Sequence, residues 1–314
     1  MTSRWPSPAN PVRIGTRGSP LALAQAHETR WRLMEMHNLP EDAFQVMVIR
    51  TTGDRIQDKP LREIGGKGLF TKEIEEALLV DRIDLAVHSM KDMPVEQPEG
   101  LILDCFLPRQ DPRDAFVSPH FETLSDLPQG AVVGTSSLRR KSQVLNRRPD
   151  LEVVEFRGNV QTRLKKLEDN VATCTFLAMA GLNRLGVEEV ANGPIPVADM
   201  LPAVAQGAIG IERRRVDARV RDLLAPIHDF PTATRLAAER AFLRTLDGSC
   251  EMPIAGLAEI VNGQIRLRGE ILRPDGSERL RHELTGLTDD ADPLGQTLAQ
   301  ILLEEGGPNF FKMG

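Results

Sequence analysis

The chain runs to 314 residues, too long for one ordinary hydrophobic core, so about two or three domains are expected. It is 41% hydrophobic and 27% charged with a formal net charge of −6, which suits a globular protein and excludes the basic surface of a general nucleic-acid binder. No apolar run is long enough to cross a bilayer, and the polar opening MTSRWPSPANP lacks the apolar core of a secretory signal, so no membrane partner and a cytoplasmic location are expected. The three cysteines, Cys105, Cys174 and Cys250, are far apart and odd in number, which is no disulfide framework. The six histidines show no ligand spacing with one another or with the cysteines, so no metal is expected.

Residues 12–16 read as a short buried strand, turned by RGSP into a helix that begins near Leu21, with Pro20 suited to the first helical position. A second strand is expected over 45–52. The glycine- and charge-rich run GDRIQDKPLREIGGKGLF then reads as a long loop, of the kind that serves as a lid. Its Gly65-Gly66-Lys67-Gly68 is not a phosphate-binding loop, because the spaced leading glycine and the Ser/Thr after lysine are missing. A helix from about Lys72 buries Ile74, Ala77 and Leu78 and carries Glu73, Glu75 and Glu76 early, where the helix dipole favours acids.

DLAVHSMKDMP follows. Leu85-Ala86-Val87 is a continuous apolar run suited to a central parallel strand, and Ser89, Lys91 and Asp92 fall at its C-terminal end, where open α/β sheets line their ligand crevice. A strand over 101–107 leads to PRQDPRD, which reads as a hinge into a second lobe of alternating strands and helices. The densest cationic stretch lies there, GTSSLRRKSQVLNRRPDLEVVEFRGNVQTRLKK from Gly134 to Lys166. An apolar strand precedes it and a helix follows, so Thr135 to Ser137 sits at a helix N-terminus, an anion site by its unpaired N–H groups and dipole. Arginines beside it grip carboxylates in two-pronged fashion. The segment GTRGSPLALAQ near the start repeats the plan of GTSSLRRKSQ, each with Gly-Thr, a serine at the helix start and a glutamine after it. Two lobes of similar construction are therefore expected, with the strand over 206–212 returning to the first in a double crossover. From Phe230 a helix ends near Gly248. Apolar/polar alternation around Asn262-Gly263 and Pro274-Asp275-Gly276 then marks a small antiparallel sheet covered by a closing helix over about 293–304. The expected domains are 11–107 with 206–227, then 112–202, then 230–310.

RIGTRGSPLALAQ, GGKGLF, DLAVHSMKDMP, DPRDAFVS, VGTSSLRRKSQ, FRGNVQTRL, LPAVAQGA and LDGSCEMPI, in this order along essentially the whole chain, resemble the porphobilinogen deaminase family. The resemblance implies an α/β fold of two periplasmic-binding-protein-like lobes with double crossover plus a small C-terminal α+β domain. It implies a monomeric transferase that joins porphobilinogen units head to tail, with release of ammonia, into the linear tetrapyrrole hydroxymethylbilane. It further implies a dipyrromethane cofactor, tethered by a thioether that falls on Cys250. Read from the residues alone, Cys250 sits in a loop just past a helix C-terminus, and Cys105 and Cys174 are packing residues. The catalytic carboxylate falls on Asp92, which suits the chemistry. Loss of ammonia from an aminomethylpyrrole leaves a cation delocalised onto the ring nitrogen, and a fixed carboxylate stabilises it. Cofactor contacts fall on Ser89, Lys91, Thr135, Ser137, Arg139, Arg140, Arg163, Arg184 and Gly207, and substrate contacts on Arg17, Ser19, Gln25, Lys67, Phe70 and Arg157. Ala205 stands where the family usually has glycine, and Glu63 where it often has a cation. The competing reading is a non-catalytic binding protein or sensor of the same lobed fold. It leaves Cys250 and the third domain without a purpose.

Overall fold

The structure, a computed structural model, describes residues 5–55, 68, 70–248 and 252–311. Among these the chain divides into two compact units. Unit 1 holds the residues up to Arg109 together with Ala208–Ala233, and unit 2 holds Gln110–Gly207 and everything from Thr234. Lys67 and Cys250, and most of the expected lid, lie outside the described residues.

Unit 1 opens with β1 (Val12–Thr16), α1 (Pro20–His37), β2 (Phe44–Val48), α2 (Lys72–Leu79), β3 (Leu85–Ser89) and β4 (Leu101–Phe106). β1 runs parallel to both β2 and β3. Alternate residues of these strands feed two cores. Val12, Ile14, Leu85 and Val87 pack with Leu33 of α1, while Ala86 and Leu101 pack with Ile74 and Leu78 of α2. Both faces are thus covered, which is why LAV reads as an unbroken apolar run rather than an alternation. Burying each of the larger aliphatic side chains contributes roughly 1.5–3 kcal/mol.

Unit 2 repeats the plan with β5 (Asp114–Val117), β6 (Val132–Gly134), α3 (Leu138–Arg147), β7 (Glu152–Val154), α4 (Val160–Glu168), β8 (Cys174–Ala178), α5 (Met179–Leu185) and the two-residue β9 (Gly193–Pro194). Its strand order is β7-β6-β8-β5-β9. Phe116, Val133 and Phe176 pack on one face with Val144 of α3, and Phe156, Leu167 and Leu182 fill the other.

The return strand β10 (Ile209–Arg214) enters the first sheet between β3 and β4, antiparallel to both, giving the order β2-β1-β3-β10-β4. It begins three residues later than the sequence predicts. Ala205 (φ 61°) and Gly207 (φ 89°) are both left-handed, and the bend they make excludes Gln206 and its neighbours from the ladder. The left-handed backbone at Ala205 also explains why glycine is usual there. After α6 (Ala218–Leu224) comes α7 (Phe230–Thr245), then β11 (Ile254–Val261), β12 (Gln264–Leu272), β13 (Arg279–Leu287) and α8 (Ala291–Gly306). The small sheet is antiparallel, and Asn262-Gly263, both at positive φ, form the tight turn that pairs Val261 with Gln264. By contact this small α+β domain belongs to the same unit as the second lobe.

Candidate active site

In unit 1 the site begins where β1 ends. Ser19 caps α1, its hydroxyl accepting from Ala22 N–H at 3.3 Å, and Arg17 precedes it in the turn. Gln25 is buried on the second turn of α1 and meets Ser89 at the end of β3. Its Nε2 donates to Ser89 Oγ at 2.8 Å, and that hydroxyl donates to Gln25 Oε1 at 3.0 Å. This reciprocal pair fixes the helix to the strand end from which Met90, Lys91 and Asp92 follow in a single 3₁₀ turn. Met90 is fully buried and donates its N–H to Ala208 O at 3.0 Å. A Cβ on Gly210 would lie 2.1 Å from Met90 Sδ, so only glycine in β10 leaves room for the residue that seats the turn. The Asp92 side chain is exposed. It lines one pocket with Arg17, Ser19, Gln25, Phe70 and Ser89, and with His88, which sequence reasoning did not single out. Phe70, expected as a substrate contact, lies beneath Arg17, whose guanidinium carbon is 4.2 Å from the ring centroid. Such a contact contributes about 0.5–2 kcal/mol.

In unit 2 the turn between β6 and α3 has the predicted form. Ser137 is the helix cap, its hydroxyl accepting from Arg140 N–H at 3.4 Å, and Thr135 Oγ1 accepts from Ser137 N–H at 3.2 Å. The two arginines that follow are arranged differently from an open carboxylate receptor. Arg139 and Arg140 are buried and converge on Asp114, which is wholly inside. Arg140 donates through Nε and Nη2 to Asp114 Oδ1 at 3.1 and 2.6 Å, and Arg139 Nη1 stands 2.8 Å from Oδ2. Arg139 also donates to Gln143 Oε1 and Leu201 O, and Arg140 to Phe176 O. Gln206 Nε2 also donates to Asp114, at 3.0 Å. Burial alone would raise the Asp114 carboxyl, but the two guanidinium groups overcome this and hold it well below the usual carboxylate range. Asp114 was invisible as a site residue in the sequence, where it reads as the end of a hinge. The available signal is an acid opening the apolar run DAFV, since a fully buried acid requires a cation.

The remaining cations of unit 2 are more open. Arg163, half-buried on α4, donates to Gly158 O at 3.0 Å. Burial and the neighbouring charges of Arg140 and Arg157 push it down to about 10. A carboxylate placed beside Arg163 would offset the like charges that depress it. Arg184, at the end of α5, donates to Gly207 O at 3.2 Å and so touches the bend where the chain leaves the unit. Gly207 is itself constrained, because a Cβ there would lie 2.6 Å from Gln110 O.

Each unit therefore presents a parallel strand, a Gly-Thr turn and a serine-capped helix with arginine beside it. Residues 12–222 match the family model described as porphobilinogen deaminase, dipyromethane cofactor binding domain, and residues 233–304 match that of the porphobilinogen deaminase C-terminal domain. A curated relative named porphobilinogen deaminase, from Paracoccus denitrificans (strain Pd 1222), is 64% identical over 309 residues, covering 98% of this chain and 99% of its own. The chain belongs to the porphobilinogen deaminase family. Among solved structures it is also similar to the methionine binding protein MetQ, with TM-score 0.43 and 11% identity over 71% of this chain and 91% of that one. A periplasmic substrate-binding protein of an ABC transporter from Coxiella burnetii gives TM-score 0.42 and 14% identity over 73% of this chain and 96% of that one. No helix among the described residues is long and apolar enough to cross a membrane.

Proposed function

We infer that this chain is a cytoplasmic transferase that condenses porphobilinogen units head to tail, with release of ammonia, into the linear tetrapyrrole hydroxymethylbilane. The observation that carries the reading is the unit 1 pocket, which sets an exposed carboxylate, Asp92, among groups suited to an acidic pyrrole, in a chain of this family. Arg17 takes a side-chain carboxylate of the incoming pyrrole, and Ser19 and Gln25 shape the wall around it. Asp92 faces the ring N–H, stabilises the positive charge that forms as ammonia departs, and moves protons at the leaving amine and the ring carbon. Lys91 and Ser89, beside it, bind carboxylate arms.

The dipyrromethane of this family, tethered through Cys250, supplies the primer on which chain growth starts. The donor set of unit 2 fits it, since Arg163, depressed by the charges of Arg140 and Arg157 nearby, gains from a carboxylate and the N-terminus of α3 favours an anion. Arg163, Arg184, Thr135 and Ser137 hold its arms, Arg157 and Lys67 serve the substrate, and Arg139 and Arg140 act with Asp114 to place the turn. The test is intact mass and turnover together. The purified protein carries an added mass equal to a dipyrromethane, and Cys250→Ser removes it. Asp92→Ala retains the adduct and loses turnover by at least about a hundredfold. An unmodified protein with full activity, or an active Asp92→Ala, would overturn the reading.

A further inference from the structure

The mechanism leaves unused a buried titratable cluster at the same pocket. His88 lines the pocket with Asp92, yet its side chain is only 5% exposed. Behind it stands Glu212 of β10, wholly buried, whose Oε2 is 3.2 Å from His88 Nε2. Among the described residues Glu212 Oε1 has no hydrogen-bond partner. Glu75 of α2, buried as well, is coupled electrostatically to both, and burial raises its carboxyl above the ordinary range, with Glu212 adding to the rise and His88 opposing it. The charged groups around His88 are thus Glu212 from β10, Glu75 from α2, and Asp92 and Arg17 at the pocket they share. Burial and the neighbouring Glu212 both disfavour the charged form of Glu75, which sets a carboxyl inclined to keep its proton beside the His88–Glu212 pair.

We propose that His88, backed by Glu212 and Glu75, is a proton-holding group of the unit 1 pocket that takes up the proton released as each carbon–carbon bond forms and so returns Asp92 to its ionised state. This rests on the role of Asp92 given above. When two pyrrole units join, a bond forms between a ring carbon and the methylene that has lost ammonia, the C–H bond of that ring carbon breaks, and its electron pair restores the ring. The proton passes to Asp92, then to the His88 cluster, and leaves on the released ammonia as ammonium, with nothing oxidised or reduced. With Nε2 facing Glu212 at 3.2 Å, Nδ1 is the nitrogen left to exchange the proton with the pocket.

His88→Gln retains a donor for Glu212 but cannot titrate. In enzyme whose dipyrromethane adduct is verified by intact mass, the variant keeps KM within about twofold while kcat falls about 10- to 100-fold, in the range of a single acid–base contribution. Its kcat–pH profile loses the limb that the imidazole supplies. As a second variant, Glu212→Gln lowers the His88 titration midpoint followed by NMR of histidine-labelled protein, a measurement that needs no turnover. A kcat–pH profile for His88→Gln that superimposes on the parent, or an unmoved His88 midpoint in Glu212→Gln, overturns the proposal. Asp92→Ala run alongside separates the two readings. If it is inactive while His88→Gln matches the parent, only the proton-holding role fails; if it is active, the assignment of Asp92 fails and this role with it.

Discussion

Asp114→Asn removes one charge from the most deeply buried ion cluster of unit 2 while keeping the side chain's shape. Asp114 is wholly inside, and the side chains of Arg139 and Arg140 are 4% and 7% exposed, so water does not replace the lost carboxylate. Breaking a buried pair in this way costs about 3–5 kcal/mol, because the partner charge is left uncompensated, and here two guanidinium groups share one acid. For a unit of this size each kcal/mol is worth roughly 2–4 °C, so the melting temperature at neutral pH falls by on the order of 10 °C. The pH dependence has a definite sign. The folded-state pKa of Asp114 is depressed, so its contribution is fully present above the unfolded carboxyl value near about 4 and is lost as pH falls through the folded value. The gap between parent and variant is therefore widest at neutral pH and narrows only in strong acid. Thermal and urea melts of both proteins from neutral to acid pH measure it. A difference under about 1 kcal/mol at pH 7, or one that does not shrink in acid, refutes the account of Arg139 and Arg140 as held by Asp114.

Gly207→Ala forces a Cβ to 2.6 Å from Gln110 O at a φ of 89°, and the urea midpoint should drop by the equivalent of about 2–4 kcal/mol; a loss below about 0.5 kcal/mol would contradict the geometry. Phe70→Leu removes the surface on which Arg17 rests, and KM for porphobilinogen is expected to rise about 3- to 20-fold with a smaller change in kcat; an unchanged KM argues that Arg17 is positioned by other means. Burial pushes the thiols of Cys105 and Cys174 up to about 12, so neither should be alkylated in the folded protein at mildly alkaline pH, and both should react once it is unfolded. Mass spectrometry after brief alkylation reads this directly, and labelling of either residue in the folded state would be the contrary result.

What was legible in the sequence was local. Strand ends, helix caps and the Asn262-Gly263 turn depend on residues a few positions apart, and β1, α2 and the Ser19 and Ser137 caps stand where the pattern places them. What was not legible depends on partners far apart in the chain. The fork from Arg139 and Arg140 to Asp114 is one case, because arginines at a helix start look alike whether they await a ligand or an internal acid. Glu75 is another. Its place in the first turn of α2 reads as a solvated acid favoured by the dipole, yet the helix turns it inward towards His88 and Glu212. In both, a charged residue embedded in an apolar run is the trace left in the sequence, and it says that a partner exists without saying which.

The late arrival of β10 in its sheet bears on how the polypeptide is made. β3 and β4 are neighbours in sequence but not in space, and the ribbon that separates them is encoded only after β5 to β9 have been translated. A nascent chain emerging from the ribosome can thus close the second five-stranded sheet before the first, leaving the facing edges of β3 and β4 without their ladder in the interval. The turn that bears Asp92 hangs from one of those edges, so the Asp92 carboxylate is seated only when residues beyond Gly207 have emerged.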